Sequence, residues 1–218
     1  EFHQFQRKHS SGHVKGNSLN GLSQPAVKLT WLQAAKFCNW LSIKEKFDPV
    51  YQIESEELVA FDSQANGYRL PTEAEWVWAA RYHKNKMLKY AWGEPLPPKK
   101  DAGNFADISG APILGKVLTN YNDRYIVSAP VASFSKNDKG LFDLSGNVAE
   151  WLHDFYHIKT GLSLKKEQDP MGPKSGEYHV IRGASWAHGG RTELRLSFRD
   201  YGNEVRNDLG FRIARNAQ

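Results

Sequence analysis

Residues 140–151 read GLFDLSGNVAEW, and no other stretch of this chain constrains it so strongly. The run alternates, carries a glycine in its middle, and ends in a carboxylate beside an indole. Hard cations take several oxygen ligands, mixing carboxylates with backbone carbonyls on a bent piece of chain. Asp143 and Glu150 supply carboxylates, and Gly146 frees the backbone between them to turn carbonyls inward. Residue by residue, this is a candidate cation loop.

The rest of the chain has to supply a frame for that loop. With 218 residues it is long enough for one domain with a sizeable core. Seven Trp and eighteen Gly stand beside only two Met, which points to a loop-rich fold pinned by large side chains. No apolar run approaches the roughly 18 residues a membrane span requires, so no span is expected. The net charge of +5 reads as a mildly basic surface. Its short clusters, 84–89, 99–100 and Lys165 with Lys166, are too scattered for a nucleic-acid stripe. Cys38 stands alone, which excludes an internal disulfide and any cysteine-based zinc cluster. Its apolar neighbours make it a buried, inert thiol.

Residues 1–26 read as irregular, and with no initial Met the chain is expected to lack part of its opening segment. Residues 25–29 predict a short strand. Thr30 then caps a helix over 31–44, with Trp31, Ala34, Ala35, Cys38 and Leu41 at helical spacing on its buried face. Residues 48–62 predict a hairpin. In RLPTEAEW, residues 69–76, Thr72 and Glu75 form a capping box that starts a second helix over 73–82. His153, His157 and His179 lack the spacing of a metal triad and read as surface histidines. VIRGASW (180–186) and LGFRI (209–213) predict two further strands.

Taken together, RLPTEAEW, YAWG (90–93), GLFDLSGNVAEW, VIRGASW and LGFR resemble the signatures of the formylglycine-generating enzyme family, also called the sulfatase-modifying factor domain. The resemblance covers nearly everything from Pro25 to Arg215 as a single domain, 1–218. It implies an α+β fold, a variant of the C-type lectin type with two main helices and short antiparallel strands. It also implies Ca2+, one or two ions. The first would take the side chains of Asn104 and Asp123 and the carbonyls of Phe105 and Tyr125. The second would take the side chains of Asp143 and Glu150 and the carbonyls of Gly146 and Val148. An insert over 108–122 separates the ligands of the first site, which makes that site the less secure.

One part of the pattern is missing. The oxygen-using members carry two cysteines after the R-G-G-S-W strand, because thiolates bind Cu(I) and relay electrons. Those positions fall here on Glu193 and Phe198, and no second cysteine exists. Copper is therefore not expected, nor is formylglycine synthesis. The iron-binding helical domain of the related sulfoxide synthases is not among these residues.

Two functional readings follow from the resemblance. The first is a calcium-stabilised, non-catalytic binding or regulatory module that takes a protein or peptide in the ancestral substrate groove. Cysteine-less relatives of this kind serve as periplasmic regulators of type VI secretion, as gliding-motility lipoproteins and as variable ligand-binding proteins. The Arg/Glu-rich run 191–207 argues against the variable version. The second is a cysteine-independent enzyme, as in pyoverdine maturation, with Glu193, His188 or Arg195 in the groove. Trp186, Phe198 and Tyr201 would line the groove beside Glu193. A periplasmic or extracellular location is expected, since oxygen-ligand sites of millimolar affinity fill outside the cytosol. Arg212, embedded in LGFRI, is expected to work inside the protein.

Overall fold

The computed structural model describes residues 1–158 and 167–216. The chain opens with a short helix, α1 (Phe2–Phe5), and a minimal hairpin, β1 (His13–Val14) with β2 (Asn17–Ser18). α2 (Trp31–Lys44) follows, then the hairpin β3 (Tyr51–Glu54) and β4 (Glu57–Phe61), β5 (Tyr68–Arg69) and α3 (Glu73–Arg81). A second small hairpin, β6 (Tyr82–His83) and β7 (Lys86–Met87), leads into a long irregular region. The central strand β8 (Ala149–Phe155) comes next, then β9 (His179–Arg182), β10 (Arg199–Gly202), β11 (Leu209–Phe211) and β12 (Ala214–Arg215). The main sheet has the order β10-β9-β8-β11, antiparallel except for the parallel β8–β11 pair. β12 leaves that sheet to pair with β5. This is the α+β architecture the family resemblance implies.

Both helices start where the capping chemistry places them. Thr30 accepts a hydrogen bond from the Gln33 N–H while the Gln33 side chain returns one to Thr30. Thr72 and Glu75 make the same reciprocal pair. Glu75 also takes a bidentate grip from Arg69, at 2.7 Å on each arm. That contact ties the start of α3 to β5.

The helices cover opposite faces of the main sheet, as the two packing groups show. Trp31, Ala34, Ala35, Phe37, Cys38 and Leu41 of α2 pack with Trp151, Ile181 and Leu209. Trp76 and Ala80 of α3 pack with Leu144, Leu152, Val180 and Leu196. β8 is therefore buried along both faces. Its large neighbours keep their polar ends satisfied: the Trp31 indole donates to the Leu152 carbonyl (2.7 Å) and the Trp151 indole to that of Leu29 (3.2 Å).

Three expectations change. Residues 25–29 form no strand: Val27 and Leu29 are buried, but Lys28 adopts a left-handed φ of 58° and breaks the extended run. The opening residues, expected to be irregular, carry α1 and the β1–β2 hairpin, and Phe2 packs on Phe37 and Phe211 with ring centroids 5.4 and 5.9 Å apart. His153 and His179 are buried rather than on the surface, since the strand that should have offered one to solvent has no solvent face. His157 is exposed, as expected, whereas Lys165 and Lys166 lie outside the described residues.

The two buried histidines sit among aromatic rings. His179 stacks on Trp31 at 3.8 Å with planes 5° apart, and Phe155 stacks on its other side at 4.3 Å. His153 lies 3.1 Å from the Tyr51 hydroxyl, and that oxygen accepts the Leu70 N–H. Burial, helped by Arg69, pushes His153 down to about 4. Burial, helped by His153, pushes His179 down to about 3. Both folded values lie below the ordinary 6.5, so the unfolded chain binds these protons first. Their contribution to stability is full above about 6.5 and is lost as pH falls toward 4. Buried carboxyls such as Asp154, raised to about 6 by burial, titrate in the opposite sense. The histidine effect is therefore best read as a difference between variants. His179→Phe, which preserves the stacking, should lose less stability than the parent between pH 7 and pH 5, by about 2 kcal/mol. Urea unfolding at the two pH values measures it.

Candidate functional site

The acidic end of GLFDLSGNVAEW does not stand open. Glu150, the second residue of β8, accepts from Arg212 Nε on one carboxylate oxygen (2.7 Å) and from Nη2 on the other (2.5 Å). The Trp76 indole donates to the same carboxylate at 2.8 Å, and Arg212 reaches the Phe142 carbonyl at 3.0 Å. Arg212 thus works inside the protein, as its place in LGFRI implied. Asp143, in a left-handed conformation (φ 56°), accepts from the Ala132 N–H at 2.7 Å. Burial raises its carboxyl above the usual range. The loop itself is pinned by Asn147, a residue the sequence reading passed over inside its G-N-V motif. Its side chain clamps Ala129, accepting from the backbone N–H (2.9 Å) and donating to the carbonyl (3.2 Å). Its own N–H donates to the Asn104 carbonyl at 2.8 Å, joining the two candidate cation loops back to back. Gly146 fits into the same contact, where an added Cβ would meet the Asn104 carbonyl oxygen at 2.8 Å.

Around Asn104 the polar groups converge differently. The Asp123 carboxylate accepts from the Phe105 and Tyr125 N–H groups, each at 2.8 Å. The fully buried Asp107 accepts from the Ser109 N–H at 2.7 Å and from the Asp123 N–H. Burial pushes Asp123 up to about 7, and the neighbouring Asp107 adds to the effect. Asn104 donates to the Val127 carbonyl at 2.9 Å, while its side-chain oxygen is buried without a partner. Among the described residues, no three His, Cys, Asp or Glu side chains gather as a metal cluster. Any ion here would rely on carboxylates together with amide and backbone oxygens, as the sequence pattern implies. An orphaned acceptor beside two carboxylates fits a hard cation. The paired carboxylate of Glu150 fits one less well.

Near the positions of the missing cysteines lies a space whose walls differ from those expected. Glu193 and Phe198 line a space of about 820 Å³, together with Leu96, Pro97, Lys116, Leu118, Asn120 and Arg191. Glu193 is half-buried and accepts the Gly190 N–H at 2.9 Å, closing its own turn. Trp186 is not a groove residue, because its ring packs with Leu19, Val27, Val127 and Val148 in the core. Nor is Tyr201, which β10 carries into a tyrosine cluster, stacked on Tyr156 at 4.1 Å. Arg195 is exposed outside the groove. His188 does not line this space, although its ring lies 6.4 Å from that of Phe198: its Nδ1 accepts the Ser185 N–H at 3.1 Å, and Nε2 lies 3.8 Å from Asp208. Cys38 is fully buried in α2, and burial pushes its thiol up, away from the reactive thiolate.

Comparison with known proteins identifies the family and the fold. The profile of the sulfatase-modifying factor enzyme 1-like domain matches residues 4–217. The chain is 31% identical over 179 residues to the formylglycine-generating enzyme of Streptomyces coelicolor, covering 78% of this chain and 53% of that one. It therefore spans about half the length of that relative. It is 26% identical to chaperone protein LppX of Paenibacillus barcinonensis, covering 91% of this chain and 72% of that protein. Among solved structures, Treponema denticola variable protein 1 superposes with a TM-score of 0.73 at 30% identity, covering 94% of this chain and 77% of that one.

Removing one partner of the buried ion pair leaves the other uncompensated. Arg212→Leu should cost about 3 kcal/mol or more, and the double variant with Glu150→Gln should recover part of it in thermal and urea unfolding. Gly146→Ala combines a positive φ of 92° with a backbone clash. It should lower stability by roughly 2 kcal/mol or more by the same measurements.

Proposed function

The chain belongs to the sulfatase-modifying factor enzyme 1-like family, and from that premise we propose that it is a non-catalytic binding module of the family. Its groove takes up a segment of another protein, and a bound calcium ion steadies the loops behind it. One observation carries this reading. At the two groove positions where the resemblance calls for copper-binding thiolates, the side chains are a carboxylate and a phenyl ring. The only cysteine is sealed inside α2.

What the groove does offer suits recognition. Leu96, Pro97, Leu118 and Phe198 make an apolar floor, and Lys116 and Arg191 add positive charge. Such a surface favours an extended segment with an apolar side chain and acidic neighbours. The name of LppX, a chaperone, is in keeping with protein binding as a use of this fold. The enzymatic reading would need Glu193 free to move a proton, with a second group to relay it. Glu193 instead holds the Gly190 N–H, and no histidine lines the groove.

Calcium enters this reading as a structural ion. Asn104, Asp123 and the carbonyls of Phe105 and Tyr125 would hold it at the first site; the resemblance offers Asp143, Gly146, Val148 and Glu150 as a second, where Glu150 is already paired with Arg212. Bound to the native state alone, it adds stability that grows with its concentration. Affinity in the range of extracellular modules would place the protein in the periplasm or outside the cell. A regulatory role in a secretion or surface system fits that location. No helix of the described residues is long and apolar enough to cross a membrane.

Fluorescence anisotropy with a labelled peptide rich in Glu and Phe tests the groove. Lys116→Glu with Arg191→Glu should weaken binding at least tenfold, while Glu193→Ala should leave it within about twofold. If Glu193→Ala abolished function in a protein that melts normally, the non-catalytic reading would fall.

A further inference from the structure

The first cation loop contains an acid that none of the motifs assigns. We infer that Asp107 is the second carboxylate of a single calcium site formed with Asp123 and Asn104, and that this site, not the Asp143–Glu150 loop, holds the ion. The inference rests on the calcium reading above and commits it to one ion at one place.

Three observations carry it. Asp107 is fully buried, and its carboxylate is held by the N–H groups of Ser109 and Asp123, so it cannot turn to solvent. Asp123, also buried, is held by the N–H groups of Phe105 and Tyr125. No Lys, Arg or His forms an ion pair with either acid among the described residues. Two buried carboxylates side by side are costly while both are ionised; a shared proton or a cation relieves that cost, and of the two a cation would also use the orphaned oxygen of Asn104. The side-chain oxygen of Asn104, buried and without a donor, is a third ligand. It points independently to the same missing guest.

The second loop shows the opposite state. Glu150 already has a guanidinium on both oxygens and an indole on one of them. An ion there would have to compete with Arg212. The insert over 108–122 also takes on a role. Asp107 caps its first turn, pairs with Leu118 as an isolated bridge, and grips the backbone of Asp123 at its far end. The insert therefore closes onto the site instead of separating its ligands.

Titration calorimetry with CaCl2 and terbium luminescence, together with melts in EDTA and in calcium, tests the assignment. The parent protein should bind one ion. Asp107→Asn should weaken that ion at least tenfold, yet melt in EDTA no lower than the parent, because a buried charge has been removed. Asp143→Asn should leave one ion bound with unchanged affinity. If Asp107 only caps a turn, Asp107→Asn would lower the EDTA melt and leave calcium affinity intact, and the inference would fail. Asp107→Ser gives the same readouts should the Asn variant not fold. A parent that binds no calcium would overturn the calcium reading itself. A parent that binds two ions and loses one on Asp143→Asn would overturn only the single-site assignment.

Discussion

A carboxylate carried by a strand buried on both faces has to be neutralised from within the protein, and the structure is arranged around that requirement. Glu150 is met by Arg212 just beyond β11 and by the indole of Trp76 on α3. Three segments far apart in the chain therefore converge on one charge. A low-dielectric surrounding makes such a cluster expensive to leave incomplete. It fixes where α3 lies on the sheet, and it holds the end of β11 beside β8, its parallel neighbour.

The loops beside that cluster have little regular structure and are held by specific contacts. Asn147 clamps Ala129 and joins the Asn104 loop, while the backbone of Trp186 donates to the Asn147 carbonyl at 2.8 Å. These bonds replace the ladder a strand would provide. A bound cation would reinforce the same junction, since it would draw on side chains from both ends of the 108–122 insert. The groove sits at the outer end of this scaffold. Its residues come from turns, which a rigid interior can present without taking part in it.

Family membership and groove chemistry separate here. The family fold is intact, with both capping boxes and the Trp-pinned core in place. The resemblance places the two thiolates of its oxidases at positions where this chain has Glu193 and Phe198. Fold and function are carried by different residues, so one can persist while the other changes.

Local rules made much of the frame legible in the sequence. Capping boxes at Thr30 and Thr72 depend on neighbours three residues away, and helical spacing depends on the next turn, so both helices could be read directly. The motifs likewise indicated the family, the internal place of Arg212 and the loss of the thiolates. Only the tertiary structure decided the rest, because burial on both faces of β8 depends on helices distant in sequence. That is why His153 and His179 lie inside, why Trp186 serves the core and Tyr201 a tyrosine cluster, and why the insert brings Asp107 against Asp123. Charge pairing across long sequence separations has no local signature. The partners of Glu150 and the orphaned oxygen of Asn104 became visible only when the chain was folded.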